Sequence, residues 1–456
     1  MKKSLLIWEK FNTQLLLALL ILVFSGYAVY VATHLQRDIV PDEPYHFAVS
    51  KSFAPTWGIP EDVFEARSMG VSTRQNPFFA YWLNGRALNL LNWVKPNPSE
   101  WQQLVFLRLV NVVYSIGTVI FAYLFSKELI QHKWWSLLPV FILTNTLMFV
   151  LLSGGVSYDN LTNLLSIAGL YYLLRVLKGK DFVINSLLWL ILIALGALTK
   201  ETILPLALGM TVAWVIFVIK NRSNLDLTVL KTSRAIVLLF VMALLVVGNL
   251  AIYGLNLIRY QSLTPACSDV YTLEFCQSTA QAIRRQQLAL PEKLTVLQAF
   301  RQGYPEPIRY AFDTWIRAML MKTFGIMGGQ KSYYPIGITY FHILLYWMIA
   351  LGIRYYQKTS YKIYALAGIF CFYALTLFIK NYSIELAYGF IQVALQGRYI
   401  FPVIGIAYGL GSFGLMKVPK KLIRSITLLV IIILFLYGGP IRFIIYNQSV
   451  FADWFV

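Results

Sequence analysis

Long apolar runs and short polar breaks alternate along the chain almost from end to end. A helix needs about 20 apolar residues to cross the hydrocarbon core of a bilayer. By that measure spans are predicted near 13–33, 104–126, 135–152, 160–177, 183–199, 202–219, 235–257, 336–353, 363–380, 399–415 and 425–440. The expected fold class is all-α, a polytopic helical membrane protein with about 11 transmembrane helices. The first run follows Met1-Lys2-Lys3 but is too long for a secretory h-region and lacks a small-x-small cleavage site, so it reads as the first span.

Three breaks are longer than turns: 34–103, 259–335 and 381–397. Within the first, 77–94 is amphipathic and rich in aromatics, and Asn84, Arg86, Asn89 and Asn92 interrupt it. Such a stretch is expected to lie along the membrane surface as helix rather than to cross it. The expected organisation is a transmembrane core, 1–258, that includes the first outer loop at 34–103, then a loop region, 259–335, and a C-terminal transmembrane module, 336–456.

Composition agrees with the pattern: 58% of residues are hydrophobic and 13% charged, far from the balance of soluble domains. The net charge of +19 raises the question of a nucleic-acid partner, and the positions of the basic residues answer it. With the N-terminus cytoplasmic, the N-terminal tail and the connections 127–133, 175–181, 220–234, 354–362 and 417–424 hold 19 Lys and Arg against 4 Asp and Glu. That is the positive-inside pattern, so the basicity sets topology and no nucleic acid is implied. The expected location is the cell (cytoplasmic or inner) membrane, multi-pass, with the long loops outside. Cys267 and Cys276 share the second outer loop and are expected to pair in an oxidising compartment, whereas Cys371 falls inside a predicted span. No GxGxxG, Walker or HExxH pattern occurs, which argues against ATP-driven transport and zinc hydrolysis.

Candidate chemistry gathers at the outer ends of the spans. Asp42 and Glu43, in Pro41-Asp42-Glu43-Pro44-Tyr45-His46-Phe47, follow the first span, and Pro44 is well placed to open a helix. Either carboxylate suits a general base or ligand while the other caps the helix, or both simply start a surface helix. Asp159 is either the cap of the fourth predicted span or a second acid in the same cavity. Lys200, in Thr199-Lys200-Glu201, sits in a tight turn; it either snorkels and pairs with Glu201 or grips a lipid phosphate. Arg398, in Gln396-Gly397-Arg398-Tyr399, suits a bidentate phosphate contact, and Gly397 would let another backbone or a phosphate approach. Arg74 is a further candidate cation, and Arg108 reads as an interface anchor. Acids and cations from distant segments thus converge on one membrane face, the layout for moving a group from an anionic lipid carrier to a hydroxyl.

These boxes resemble the GT-C superfamily of membrane glycosyltransferases, in which an acidic pair follows the first span as Asp42-Glu43 does here. Arg108, the Ser157 to Asp159 segment and Leu198-Thr199-Lys200 also look like that superfamily's core, over roughly 10–258. More narrowly, the Asp42 to Phe47 box together with Gln396-Gly397-Arg398-Tyr399-Ile400-Phe401-Pro402 resembles the bacterial membrane family catalogued as domain of unknown function 2142. The resemblance implies an inverting glycosyltransferase with a polyprenyl-phosphate sugar as donor and a hydroxyl on a cell-envelope glycan, lipid or protein as acceptor. Asp42 takes the role of base, with Glu43 as substitute. His46, Arg74, Asp159, Lys200, Arg398 and Tyr399 are the expected substrate-binding residues. A divalent ion, magnesium or manganese, would suit carboxylates beside a phosphate. With no sizeable soluble domain after the last span, the expectation is transfer of a single sugar rather than of an oligosaccharide. A lipid-linked glycan flippase or transporter, a glycan polymerase or ligase, and an accessory subunit are the rival readings.

Overall fold

The computed structural model describes residues 2–279, 282–283, 286–287, 293–328, 332–335, 337–355, 360–389, 395–446 and 452–455. Part of two predicted outer connections, 390–394 and much of 280–292, lies outside the described residues. The fold is all-α; the sheet among the described residues is a two-stranded ribbon pairing Ile326–Met327 with Ser332–Tyr333.

All eleven predicted spans are helical. Helix α1 (Lys2–His34) leads into a long connection built of α2 (Glu43–Ser52), α3 (Phe64–Ser68) and α4 (Phe79–Val94). Then come α5 (Glu100–Ile130), α6 (Leu138–Thr144), α7 (Leu147–Ser153), α8 (Tyr158–Leu177), α9 (Phe182–Ala197), α10 (Ile203–Asn221) and α11 (Ser233–Asn249). The C-terminal part adds helices Ile338–Arg354, Tyr361–Tyr388, Phe401–Lys417 and Lys421–Tyr437. By length and composition, 7 helices among the described residues suffice to cross a membrane, or 8 if the pair Trp135–Thr144 and Leu147–Ser153, bent by 65°, forms one span. The helices at Phe182–Ala197 and Ile338–Arg354 are shorter, and α8 is polar along its first turns. The helix predicted to end near 380 continues to Tyr388, two turns further out.

Two kinds of helix share this bundle. α11 turns Phe240, Leu244 and Val247 outward at 57–65% exposure, as lipid-facing helices do. α8 is enclosed by protein: it packs on α5 and α9, and Asn160, Thr162, Asn163 and Ser166 are all buried. Asn160, Thr162 and Ser166 bond within the protein, which is what makes such side chains tolerable there; Asn160 Nδ2, for example, reaches Asn111 Oδ1 (3.1 Å) and the carbonyls of Leu152 (2.8 Å) and Gly155 (3.1 Å). Helix Phe401–Lys417 packs directly on α5 and α8, so the C-terminal helices close around the N-terminal ones.

The two ends of α8 define the two faces. At one end Lys178 and Lys180 both pair with Glu128 (2.9 and 2.7 Å), joining two of the basic connections. At the other, about 30 Å away along a 20-residue helix, the turn between α7 and α8 tucks under α1. A Cβ on Gly154 would lie 2.5 Å from Val31 and one on Gly155 2.6 Å from Val40, so only glycine admits this approach.

Candidate active site

The chain leaves α1 and turns sharply at Asp42, which holds a left-handed conformation (φ 60°, ψ 14°) at the head of α2. Aspartate is among the residues that tolerate that region. Its carboxylate makes no capping bond, so it is free to face elsewhere. It meets Arg398 Nη2 at 2.5 Å, and Arg398 Nη1 donates to the carbonyl of Pro41 (3.2 Å). Arg398 is 3% exposed and Asp42 48%, so the pair opens to solvent on the acid's side. Burial pushes the Asp42 carboxyl up, but Arg398 and His46 pull it down further, leaving it below the usual aspartate range.

Asp159 does not cap α8. That position belongs to Ser157, whose hydroxyl accepts from the Asp159 amide (3.1 Å). The Asp159 side chain turns inward: Oδ1 receives Lys200 Nζ at 2.5 Å, and Oδ2 lies 3.7 Å from Arg398 Nε. Lys200, from the turn between α9 and α10, is held over the rings of Tyr158 (4.4 Å) and Tyr399 (4.9 Å). The snorkelling alternative therefore fails: Lys200 is buried, and Glu201 pairs with Lys380 instead (3.5 Å). Lys200, Asp159, Arg398 and Asp42 form one continuous chain of alternating charge, drawn from four segments far apart in sequence. Buried charges persist only when paired in this way.

The other predicted residues separate into supports and outliers. Glu43 is 2% exposed at its side chain, and both of its oxygens are taken by Arg108, Nε at 2.8 Å and Nη2 at 2.5 Å; Oε1 also accepts from the Val156 amide (3.0 Å). A carboxylate so enclosed is poorly placed to accept a substrate proton. Arg108 is no interface anchor: it is wholly buried and also donates to the carbonyls of Leu35 (2.5 Å), Gln36 (3.0 Å) and Ala32 (3.3 Å). It thereby ties the end of α1, the start of α2 and the turn before α8 to one point on α5. His46, a turn into α2, shares a 2.8 Å hydrogen bond with the Tyr81 hydroxyl, and burial holds its imidazole down to about 4 despite Asp42 nearby. Arg74 lies apart, 58% exposed, 3.7 Å from Glu61. Cys267 and Cys276 are disulfide-bonded (Cα–Cα 5.8 Å) and Cys371 is free.

The approach expected at Gly397 is made by backbone: a Cβ there would lie 2.4 Å from main-chain atoms of Lys322 and Thr323. Tyr373, which donates to the Tyr399 carbonyl (2.9 Å), and Tyr81 were not foreseen. Asn111 and Ser115, spaced at i+3 and i+7 from Arg108 in an apolar helix, carried a helical-face signal that marked this face of α5. Among the described residues no group of three or more His, Cys, Asp or Glu is arranged to hold a metal ion. Asp42 and Asp159 already face cations, so the donor set does not suit magnesium or manganese, and no step is routed through one.

No protein-family model matches the chain, and no curated protein matches it in sequence. Solved structures do. An oligosaccharyltransferase of Archaeoglobus fulgidus in the apo form aligns over 96% of this chain and 55% of its own, with a TM-score of 0.52 at 13% identity. The Archaeoglobus fulgidus oligosaccharyltransferase AglB, in complex with an inhibitory peptide and a dolichol-phosphate, aligns over the same shares with a TM-score of 0.51 at 14% identity. ArnT from Cupriavidus metallidurans bound to undecaprenyl phosphate aligns over 91% of this chain and 63% of its own, with a TM-score of 0.46 at 13% identity. The chain spans little more than half the length of the oligosaccharyltransferases, and what it shares with them is the fold.

Proposed function

We propose that this protein is a glycosyltransferase that moves one sugar from a polyprenyl phosphate to a hydroxyl acceptor on the extracytoplasmic face of the cell membrane, with inversion at the anomeric carbon. The observation that carries the reading is the single charge chain through Lys200, Asp159, Arg398 and Asp42. It offers a half-exposed carboxylate beside two buried cations. The fold adds support, since AglB, which has the same fold, is complexed with a dolichol-phosphate. The excess of basic residues in the opposite connections supports the orientation. The two sequence boxes resemble those of the family catalogued as domain of unknown function 2142, although no family model matches the chain.

In this scheme Arg398 and Lys200 hold the phosphate of the donor, with Asp159 keeping both cations in place. Asp42 accepts the proton of the acceptor hydroxyl as its oxygen bonds to the anomeric carbon. The bond from that carbon to the phosphate oxygen breaks, and polyprenyl phosphate leaves with the electron pair, its charge met by the two cations. His46, neutral at working pH, and Tyr399 shape the pocket walls. Glu43 positions Asp42 through Arg108.

The test is sugar transfer or slow hydrolysis from a panel of radiolabelled polyprenyl-phosphate sugars by purified protein, with Asp42→Asn alongside. Loss of a general base costs about 10²–10⁴-fold. Turnover of one donor that falls by that factor in Asp42→Asn supports the reading. Equal activity in both proteins, or donor movement across the bilayer without sugar release, overturns it.

A further inference from the structure

Helix α2 divides two spaces. Asp42, Tyr45 and His46 face the charge chain and its aromatic surround. The opposite side of the helix lines a cleft of about 350 Å³, together with the loop after α1, α3 and the start of α5. Its walls include Arg37, Phe47, Lys51, Glu65, Glu100 and Leu104, and the steps described above use none of them. Glu43 also reaches this cleft, so it borders the residue next to Asp42.

The chemistry of the walls is mixed in a particular way. Glu100 is shared by Arg37 (3.1 Å) and Lys51 (3.3 Å), and all three side chains are 40–54% exposed. Asp38 and Glu65 add two further exposed carboxylates, Pro44 and Ala48 supply the accessible apolar surface, and Lys51 Nζ lies 5.3 Å above the ring of the buried Phe47. A free anion here would meet Asp38, Glu65 and Glu100; a free cation would meet Arg37 and Lys51. A lipid chain would desolvate them all. A polyhydroxyl ring suits every wall, because each hydroxyl both donates and accepts while the C–H face of the ring lies over Pro44 and Ala48. The volume lies within the range of small-ligand pockets, about 300–1,000 Å³.

We infer that this cleft is the acceptor site and that the acceptor is a saccharide, whose hydroxyl reaches Asp42 around the head of α2. The inference rests on the reading of Asp42 as the base of glycosyl transfer.

The experiment places the full-length protein in nanodiscs and measures saturation-transfer NMR with neutral oligosaccharides, an acidic oligosaccharide and a Ser/Thr-containing peptide as probes. Ala48 also lines the cleft, so Ala48→Trp fills it, while Lys51→Ala and Glu65→Gln remove rim groups without touching packed side chains. Expected is a neutral-saccharide signal that Ala48→Trp abolishes and that each rim variant weakens at least fivefold in Kd, with donor-lipid affinity unchanged in the same discs. Where transfer is measurable, acceptor KM rises by a similar factor. A saccharide signal that survives Ala48→Trp, or a peptide or acidic probe showing the sensitive signal instead, overturns the inference. Sugar transfer with acceptor KM unchanged in all three variants removes the cleft from the reaction and leaves the proposed function standing. Saccharide binding sensitive to Ala48→Trp in a protein that turns over no donor keeps the saccharide site and overturns glycosyl transfer.

Discussion

Replacing Arg108 with methionine tests whether the turn that carries Asp42 is held from beneath. The substitution keeps much of the side chain's bulk but deletes two bonds to Glu43 and three to the carbonyls of Ala32, Leu35 and Gln36. Glu43, 2% exposed, would keep only the Val156 amide as a recorded partner. Breaking a buried ion pair from one side costs about 3–5 kcal/mol, whereas replacing both members with apolar groups is often close to neutral. Arg108→Met is therefore expected to lose about 3–5 kcal/mol, and the double variant Glu43→Leu/Arg108→Met to regain much of it. Stability would be followed by thermal unfolding of the detergent-solubilised protein, and donor turnover in parallel. The positioning role adds a second expectation: the double variant, though refolded, turns over more slowly, because the head of α2 has lost its tie to α5 and Asp42 is left to its pair with Arg398. An Arg108→Met cost under about 1 kcal/mol, or a double variant less stable than either single one, would refute the clamp. Full activity in the stable double variant would refute the positioning role.

Other expectations concern the site itself. Arg398→Lys keeps the charge but loses the fork that serves Asp42 and Pro41; at about 1.5–3 kcal/mol for a hydrogen bond to a charged group, donor KM should rise roughly 10- to 150-fold, and an unchanged KM would remove Arg398 from the donor site. Gly397→Ala drives a methyl group to 2.4 Å from the Lys322–Thr323 backbone, so it should lower both thermal stability and donor affinity; a wild-type melting curve would show that the turn has room to move. His46 has its folded pKa lowered to about 4 from an ordinary 6.5, so the unfolded chain binds more protons between those values. Its contribution to stability is thus complete above about pH 6.5 and shrinks as pH falls toward 4, by roughly 3 kcal/mol; His46→Phe should flatten that part of the stability profile, and an unaltered profile would refute the assignment. Cys267→Ser opens a loop of sequence separation 9, and loop-closure entropy for such a length amounts to about 2–3 kcal/mol, read as a drop in melting temperature that reducing agent reproduces in the parent protein.

The amino-acid sequence by itself determined the class of this protein. The spacing of apolar runs follows from bilayer thickness, a length that needs no tertiary knowledge, and the runs fall on helices, of which 7, or 8 with the bent pair, are long and apolar enough to cross a membrane among the described residues. The acids and cations that meet in the site were likewise visible as polar residues at the ends of apolar runs, where a charge is costly unless it has a partner. Which partner each one takes was decided by packing. Asp159 and Ser157 are equally plausible caps for α8 on local chemistry, and only the arrival of Lys200 and Arg398 from distant helices turns the aspartate inward and leaves the serine as cap. Asp42 and Glu43 are neighbours of similar chemistry, yet the left-handed turn at Asp42 sends one carboxylate to Arg398 and the other down to Arg108. The cleft beyond α2 has no sequence signal, because its walls come from four elements whose relative placement is set by long-range contacts. Local sequence fixes period and propensity; the choice among partners depends on which buried groups would otherwise remain unpaired, and that is a property of the assembled bundle.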